Sequence, residues 1–147
     1  MSWNERPPQI QPLDLHLSNA GGWGEYISQY AMPDMKSKAF WKDVATRCAN
    51  HPAVMFDIYN EPRDVSWDVW KNGGRVEEKD APPYDSPGMQ GLLNAVRVKG
   101  ATSAVFAAGL DWGYDHSGIA RGYAQDLSAK WVRGILPLRK KEDSSPR

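Results

Sequence analysis

The tightest constraint on this chain is the stretch His51-Pro52-Ala53-Val54-Met55-Phe56-Asp57-Ile58-Tyr59-Asn60-Glu61-Pro62. Ala53 to Tyr59 is a short apolar run rich in aromatic and β-branched residues. Turn formers bound it on both sides, which predicts a buried strand that stops abruptly. Pro62 lacks an N–H and biases Glu61 away from the helical region. Glu61 is therefore expected just past the strand's carboxyl end, the edge at which parallel α/β sheets gather their reactive groups.

The neighbouring segments repeat that logic. Leu13-Asp14-Leu15-His16-Leu17 alternates apolar and polar residues, predicting a strand that ends near His16. A glycine-rich loop carrying Trp23 follows. Residues 37–50 then read as a helix, with Phe40, Trp41, Val44, Ala45 and Cys48 on one stripe. Ser37 is its expected N-cap, with Asp34 as the alternative one turn earlier, and Asn50 its expected stop.

Residues 63–86 form a polar excursion containing Trp67, Trp70, Asn72-Gly73-Gly74 and Pro82-Pro83, expected to be a functional or disordered loop. A second helix starts at Ser86-Pro87, buries Met89, Leu92, Leu93 and Val96, and closes at Gly100. Thr102 to Ala108 predicts a third buried strand, ending in Gly109-Leu110-Asp111-Trp112-Gly113-Tyr114. Alternation of strand and helix implies a parallel sheet built from βαβ units. Residues 1–12 read as an irregular lead-in, 13–125 as the folded unit, and 126–147 as a charged tail expected to be disordered.

Composition narrows the partners. Of 147 residues, 18 are basic and 18 acidic, so no net charge favours nucleic acid or an anionic membrane. The single Cys48 forms no intrachain disulfide and the sequence suggests no metal cluster or cofactor. No apolar segment has the form of a signal peptide or a bilayer span. Seven Trp and six Tyr stand against three Phe, a balance that suits a ligand surface as well as a core.

Three strand ends thus carry His16, Asn60-Glu61 and Asp111-Trp112. Each has a plainer role when taken singly: a satisfied histidine, a turn-forming aspartate, a core tryptophan. Glu61 is harder to dismiss, because a carboxylate beside a buried strand needs partners or a raised pKa.

Phe56-Asp57-Ile58-Tyr59-Asn60-Glu61-Pro62 resembles the signature of glycoside hydrolase family 5, the cellulase family of (β/α)8 TIM barrels. Leu13 to His16 is similar to that family's third strand, Phe40 to Ala45 and Asn50 to Val54 to the approach to its fourth. Ala107 to Tyr114 resembles the end of its fifth. The resemblance spans roughly residues 13–125 and implies an α/β fold: a partial TIM barrel of about three parallel strands.

What the resemblance implies is retaining hydrolysis of β-linked glucans or related β-glycosides. Glu61 would be the general acid and later the base, a role needing a carboxyl kept protonated near neutral pH. Asn60 would hold the sugar 2-hydroxyl. His16 would orient the same subsite, with Asp111 a further substrate contact and Trp23, Trp67, Trp70 and above all Trp112 as stacking platforms. The partner implied is a β-linked oligo- or polysaccharide, and intact relatives are typically secreted.

The departures carry their own expectations. A complete barrel needs about 250 residues. No segment matches the family's nucleophilic glutamate, its second-strand arginine or its sixth-strand His/Tyr. Leu17 stands where tryptophan is expected, and Arg63 where histidine often follows the motif. The expectation is a truncated or inactive copy. A non-catalytic carbohydrate-binding remnant is one alternative, and a half-barrel assembling with itself or a complementary chain is another, through open sheet edges.

Overall fold

A computed structural model describes residues 9–16, 29–49, 51–79 and 81–121. Trp23, Asn50, most of the lead-in and the whole of 126–147 lie outside these described residues.

Strand β1 (Gln11–Asp14) pairs in parallel with β2 (Val54–Asp57), which pairs in parallel with β5 (Val105–Phe106), so the sheet order is β1-β2-β5. Gln11 lies opposite Val54 and Asp14 opposite Asp57; Phe56 and Asp57 lie opposite Val105 and Phe106. Parallel neighbours need a crossover. Helix α1 (Lys36–Cys48) makes the first, and helix α3 (Gly88–Arg97) lies within the second. The three-strand parallel sheet expected from the sequence is therefore present.

Why β2 is central follows from its side chains. Val54, Phe56 and Ile58 are buried on the helix-facing side. Trp41 of α1 is fully buried, sets its ring edge-on to Phe56 with centroids 5.8 Å apart, and donates its indole N–H to the Ile58 carbonyl at 2.9 Å. That one residue satisfies a buried carbonyl and fills the helix–sheet gap. From α3, Met89, Leu92, Leu93 and Val96 join the same core, as their spacing predicts.

Several boundaries differ from the sequence reading. Strand β1 begins at Gln11 rather than Leu13, because its ladder is set by pairing with β2 from Val54 onward. Strand β5 is only Val105–Phe106, shorter than 102–108. Asp34, not Ser37, caps α1: its Oδ1 accepts from the Ser37 N–H at 3.1 Å and from the Ser37 hydroxyl at 3.0 Å. Ser37 itself is buried within the helix, and Phe40, expected on the buried stripe, is 43% exposed. Pro87 occupies the N-cap of α3 and Gly88 is its first residue.

The largest correction concerns residues 63–86. They hold helix α2 (Trp67–Asn72) and an antiparallel hairpin, β3 (Gly74–Glu78) with β4 (Ala81–Ser86). Ser66 caps α2 through its Oγ, which accepts from Val69 N–H at 3.2 Å. Gly73 has φ +80° and its backbone lies against the Ser86–Gly88 backbone, so a side chain there would overlap main-chain atoms. The excursion carries its own apolar anchors, Trp70 and Val76, both buried. A polar composition concealed an ordered subunit of the fold.

Candidate active site

The parallel ladder continues past the strand ends and places the first two predicted groups side by side. Leu15 N–H donates to the Asp57 carbonyl at 3.1 Å, and Asn60 N–H donates to the Leu15 carbonyl at 3.1 Å. His16 and Asn60 thus sit at adjacent carboxyl ends. Ile58 N–H donates to the Phe106 carbonyl at 3.0 Å, tying the same edge to β5.

The segment after β2 turns sharply. Glu61 is half-buried with φ +51°, and Asp64 has φ +54°. The left-handed region strains a residue with a Cβ, so such angles persist only where contacts over-determine them. The loop after β5 repeats the feature, with Asp111 at +52° and Trp112 at +53°. The two loops meet: Trp112 N–H donates to the Pro62 carbonyl at 3.2 Å, and the Arg63 guanidinium lies 6.0 Å from the Trp112 ring centroid. Trp112 is 48% exposed, so this aromatic surface stays open to a ligand.

Asn60 presents a specific vacancy in its hydrogen bonding. Its backbone carbonyl accepts from the Gln29 side-chain amide, but its own side-chain Nδ2 is buried with no partner among the described residues. A buried donor without an acceptor is costly, and a ligand hydroxyl would satisfy it.

On the sheet face opposite the helices, Asp14 and Asp57 are direct ladder neighbours. His16 Nδ1 lies 2.9 Å from Asp14 Oδ2 and is largely exposed. Asp57 has a buried Oδ1 without a partner among the described residues. Burial, then the charge of Asp14, push the Asp57 carboxyl up to about 6, with His16 opposing. The sequence reading missed this pair. Part of its signal was available: Asp14 lies two residues before His16, which puts it on the same side of the extended chain as a residue already singled out.

Two tryptophans are corrected. Trp70 is fully buried and donates its indole N–H to the Ala108 carbonyl at 2.9 Å, so it holds α2 onto the loop after β5 rather than facing a sugar. Trp67 packs edge-on to Trp70 with centroids 5.0 Å apart and lies against Gly118 of helix α4 (Ser117–Ala120). It also serves Asp115, whose carboxyl is held below its ordinary range chiefly by the Ser117 N–H. Asp111 is exposed at a turn closed by Tyr114 N–H on the Asp111 carbonyl at 3.0 Å. No cluster of three or more His, Cys, Asp or Glu suited to a metal ion occurs among the described residues.

The fold and these strand ends define a partial α/β barrel with its polar groups gathered at the sheet's carboxyl edge. The family model of cellulase (glycosyl hydrolase family 5) matches residues 12–130, and the chain belongs to that family. It is 30% identical over 111 residues to the manganese dependent endoglucanase Eg5A of Phanerodontia chrysosporium, which covers 74% of this chain and 24% of that protein. Endoglucanase EG-II of Hypocrea jecorina is 29% identical over 118 residues, covering 79% and 24%. A triply substituted endo-β-1,4-glucanase from Xanthomonas axonopodis pv. citri shares the fold at a TM-score of 0.52 and 24% identity, covering 86% of this chain and 37% of that one. The chain spans about a quarter of the length of the curated relatives it matches.

Proposed function

We propose that this chain carries the acid/base half of a retaining endo-β-glucanase site, with Glu61 as the proton donor and Asn60 as the sugar-hydroxyl ligand. The observation that carries the reading is the buried Asn60 Nδ2, without a partner among the described residues, beside Glu61 at the carboxyl edge of the sheet, on a turn bonded to the loop of the exposed Trp112. In a retaining mechanism, Glu61 gives its proton to the departing glycosidic oxygen while a second carboxylate attacks the anomeric carbon. The Glu61 carboxylate then takes a proton from the water that frees the sugar. The two carboxyls of such a pair stand about 5–5.5 Å apart. Because the chain spans about a quarter of its relatives, we place the nucleophile in a part of the barrel beyond the described residues.

The test has two arms. The 147-residue chain alone is expected to bind cellopentaose, shifting the Asn60 side-chain amide and Trp112 indole NMR signals, without turning over soluble cellulose. Joined to the remaining strands of a family relative, it should hydrolyse aryl β-cellobiosides. Glu61→Gln should then abolish kcat/KM on poor leaving groups while sparing kcat/KM on an activated dinitrophenyl substrate, since only the former need an acid in the first step. Its kcat on the activated substrate should fall, because the second step has lost its base. Equal losses of kcat/KM on both substrates would refute the assignment of Glu61, whereas turnover by the unextended chain that Glu61→Gln removes would refute the placing of the nucleophile elsewhere in the barrel.

Self-association is a second proposal, because β1 and β5 each pair on one side only among the described residues. A sedimentation profile showing monomer alone would refute it.

A further inference from the structure

Arg63 is the point at which three separate segments are tied to the turn that bears Glu61. Its Nη1 donates to the Tyr30 carbonyl at 3.0 Å and its Nη2 to the Gln29 carbonyl at 2.6 Å, while its backbone N–H donates to the Ala31 carbonyl at 3.0 Å. Its Nη2 also lies 3.5 Å from Glu78 Oε2, and both side chains are largely buried, at 16% and 15% exposure. Glu78 comes from β3, so the hairpin enters the site's support. Its Oε1 accepts from the Ala31 N–H at 2.8 Å and from the Tyr84 hydroxyl of β4 at 2.8 Å. Tyr84 stacks on Tyr30 with centroids 4.4 Å apart, and the Tyr59 hydroxyl donates to the Tyr30 carbonyl at 2.6 Å.

Glu61 lies two residues before Arg63, in a left-handed conformation that its own type disfavours. On its upstream side, Gln29 holds the Asn60 carbonyl. On its downstream side, Arg63 is fixed by two carbonyls and a carboxylate in a planar fork that an ammonium cannot reproduce. Trp112 reads the same turn from the other loop, through the Pro62 carbonyl and the face of its ring. From this geometry we infer that Arg63 is a positioning residue: with Glu78 it locks the Asn60-Glu61-Pro62 turn and sets Trp112 relative to it. Arg63 acts through the backbone, and its guanidinium is committed to protein acceptors.

The inference rests on the proposed role of Glu61, and its test is separable from that role. A left-handed residue gives an intense contact between its own amide and α protons, which reports the Glu61 conformation directly by NMR. In Arg63→Met this signature is expected to collapse while signal dispersion and far-UV circular dichroism stay native, with cellopentaose affinity falling about tenfold. Arg63→Lys keeps the charge but not the fork, and should recover only part of both. Glu78→Gln, which keeps the carbonyl bonds of Arg63, should weaken the signature less than Arg63→Met. A folded Arg63→Met or Arg63→Lys protein with an undiminished Glu61 signature would overturn the inference, even if its urea midpoint dropped. If the unsubstituted chain ignores cellopentaose while Arg63→Met still releases Glu61, the positioning role stands and the reading of the site fails.

Discussion

Asp57→Asn is the substitution whose outcome the structure fixes most closely. Asp57 and Asp14 are ladder neighbours, and burial with the Asp14 charge raises the Asp57 carboxyl from 3.8 to about 6. Between those two values the folded chain holds a proton that the unfolded chain has released. The slope of unfolding free energy with pH follows the protons bound by the unfolded state minus those bound by the native state, so it is negative here. Stability contributed by the protonated carboxyl is full below the unfolded pKa and is lost as pH rises toward the folded one. The rise from 3.8 to about 6 corresponds to roughly 3 kcal/mol, or about 2 kcal/mol after allowing for solvent at this half-buried site.

Asparagine removes the charge, keeps the shape, and can donate an amide hydrogen to Asp14. Near pH 4 the two proteins should have similar stability, whereas near pH 7 the variant should exceed the parent by about 2 kcal/mol. Urea unfolding followed by circular dichroism reads that as a midpoint increase on the order of 1 M, at constant slope. Asp14→Asn, which removes only the second cause of the shift, should give a smaller gain. A parent whose stability is flat or rising from about pH 4 to about 6 would refute the reasoning, as would an Asp57→Asn protein that keeps the parent's slope.

Other substitutions probe the scaffold. Trp41→Phe removes the bond to the Ile58 carbonyl and part of the helix–sheet filling, and should cost about 2–4 kcal/mol in denaturant unfolding. Tyr84→Phe strips a hydroxyl that meets both Met32 and Glu78, and a loss of about 1–3 kcal/mol is expected by the same measurement. In Gly118→Ala the new methyl overlaps the Trp67 ring, so stability should fall by roughly 1–3 kcal/mol with a shift in tryptophan emission. Trp112→Ala and Trp70→Ala should separate binding from folding. The first abolishes cellopentaose-induced shifts at a stability cost within about 1 kcal/mol, while the second costs about 3–5 kcal/mol.

What the sequence made legible follows from how local each signal is. An apolar run and period-3.6 patterns located β2, α1 and α3, because each buries residues whose spacing is written in consecutive positions, whereas β1, with only Leu13 partly buried, begins two residues before its period-two pattern. The hairpin β3–β4 escaped because Arg75, Glu77, Pro82 and Pro83 on it are exposed, and its anchors are only Val76 and the partly buried Tyr84. Trp67 and Trp70 illustrate the limit for site residues: indole in a loop-rich stretch reads the same whether its ring faces a sugar or the carbonyl of Ala108. Only tertiary placement separates them, and it assigned Trp70 to the core and left Trp112 open.

The four non-glycine residues with left-handed backbone among the described residues make a related point about where order at this site comes from. Glu61, Asp64, Asp111 and Trp112 occupy the φ region that glycine fills most cheaply, yet glycine is available one position away at Gly113, itself at φ +83°. A glycine at 61 would relax the turn by the order of 1 kcal/mol but would delete the carboxylate. The chain instead keeps the functional side chain and holds its backbone through neighbours: Gln29 on the Asn60 carbonyl, Arg63 on two carbonyls, and Trp112 on the Pro62 carbonyl. Strain at Glu61 is thus offset by bonds from three other segments. That makes the turn's geometry a property of Gln29, Arg63, Glu78 and Trp112 together, and it predicts that glycine at position 61 would raise stability even as it removed the proposed acid. A measured loss of stability in Glu61→Gly, with the fold intact, would show that the turn is not strained and that Arg63 holds nothing under tension.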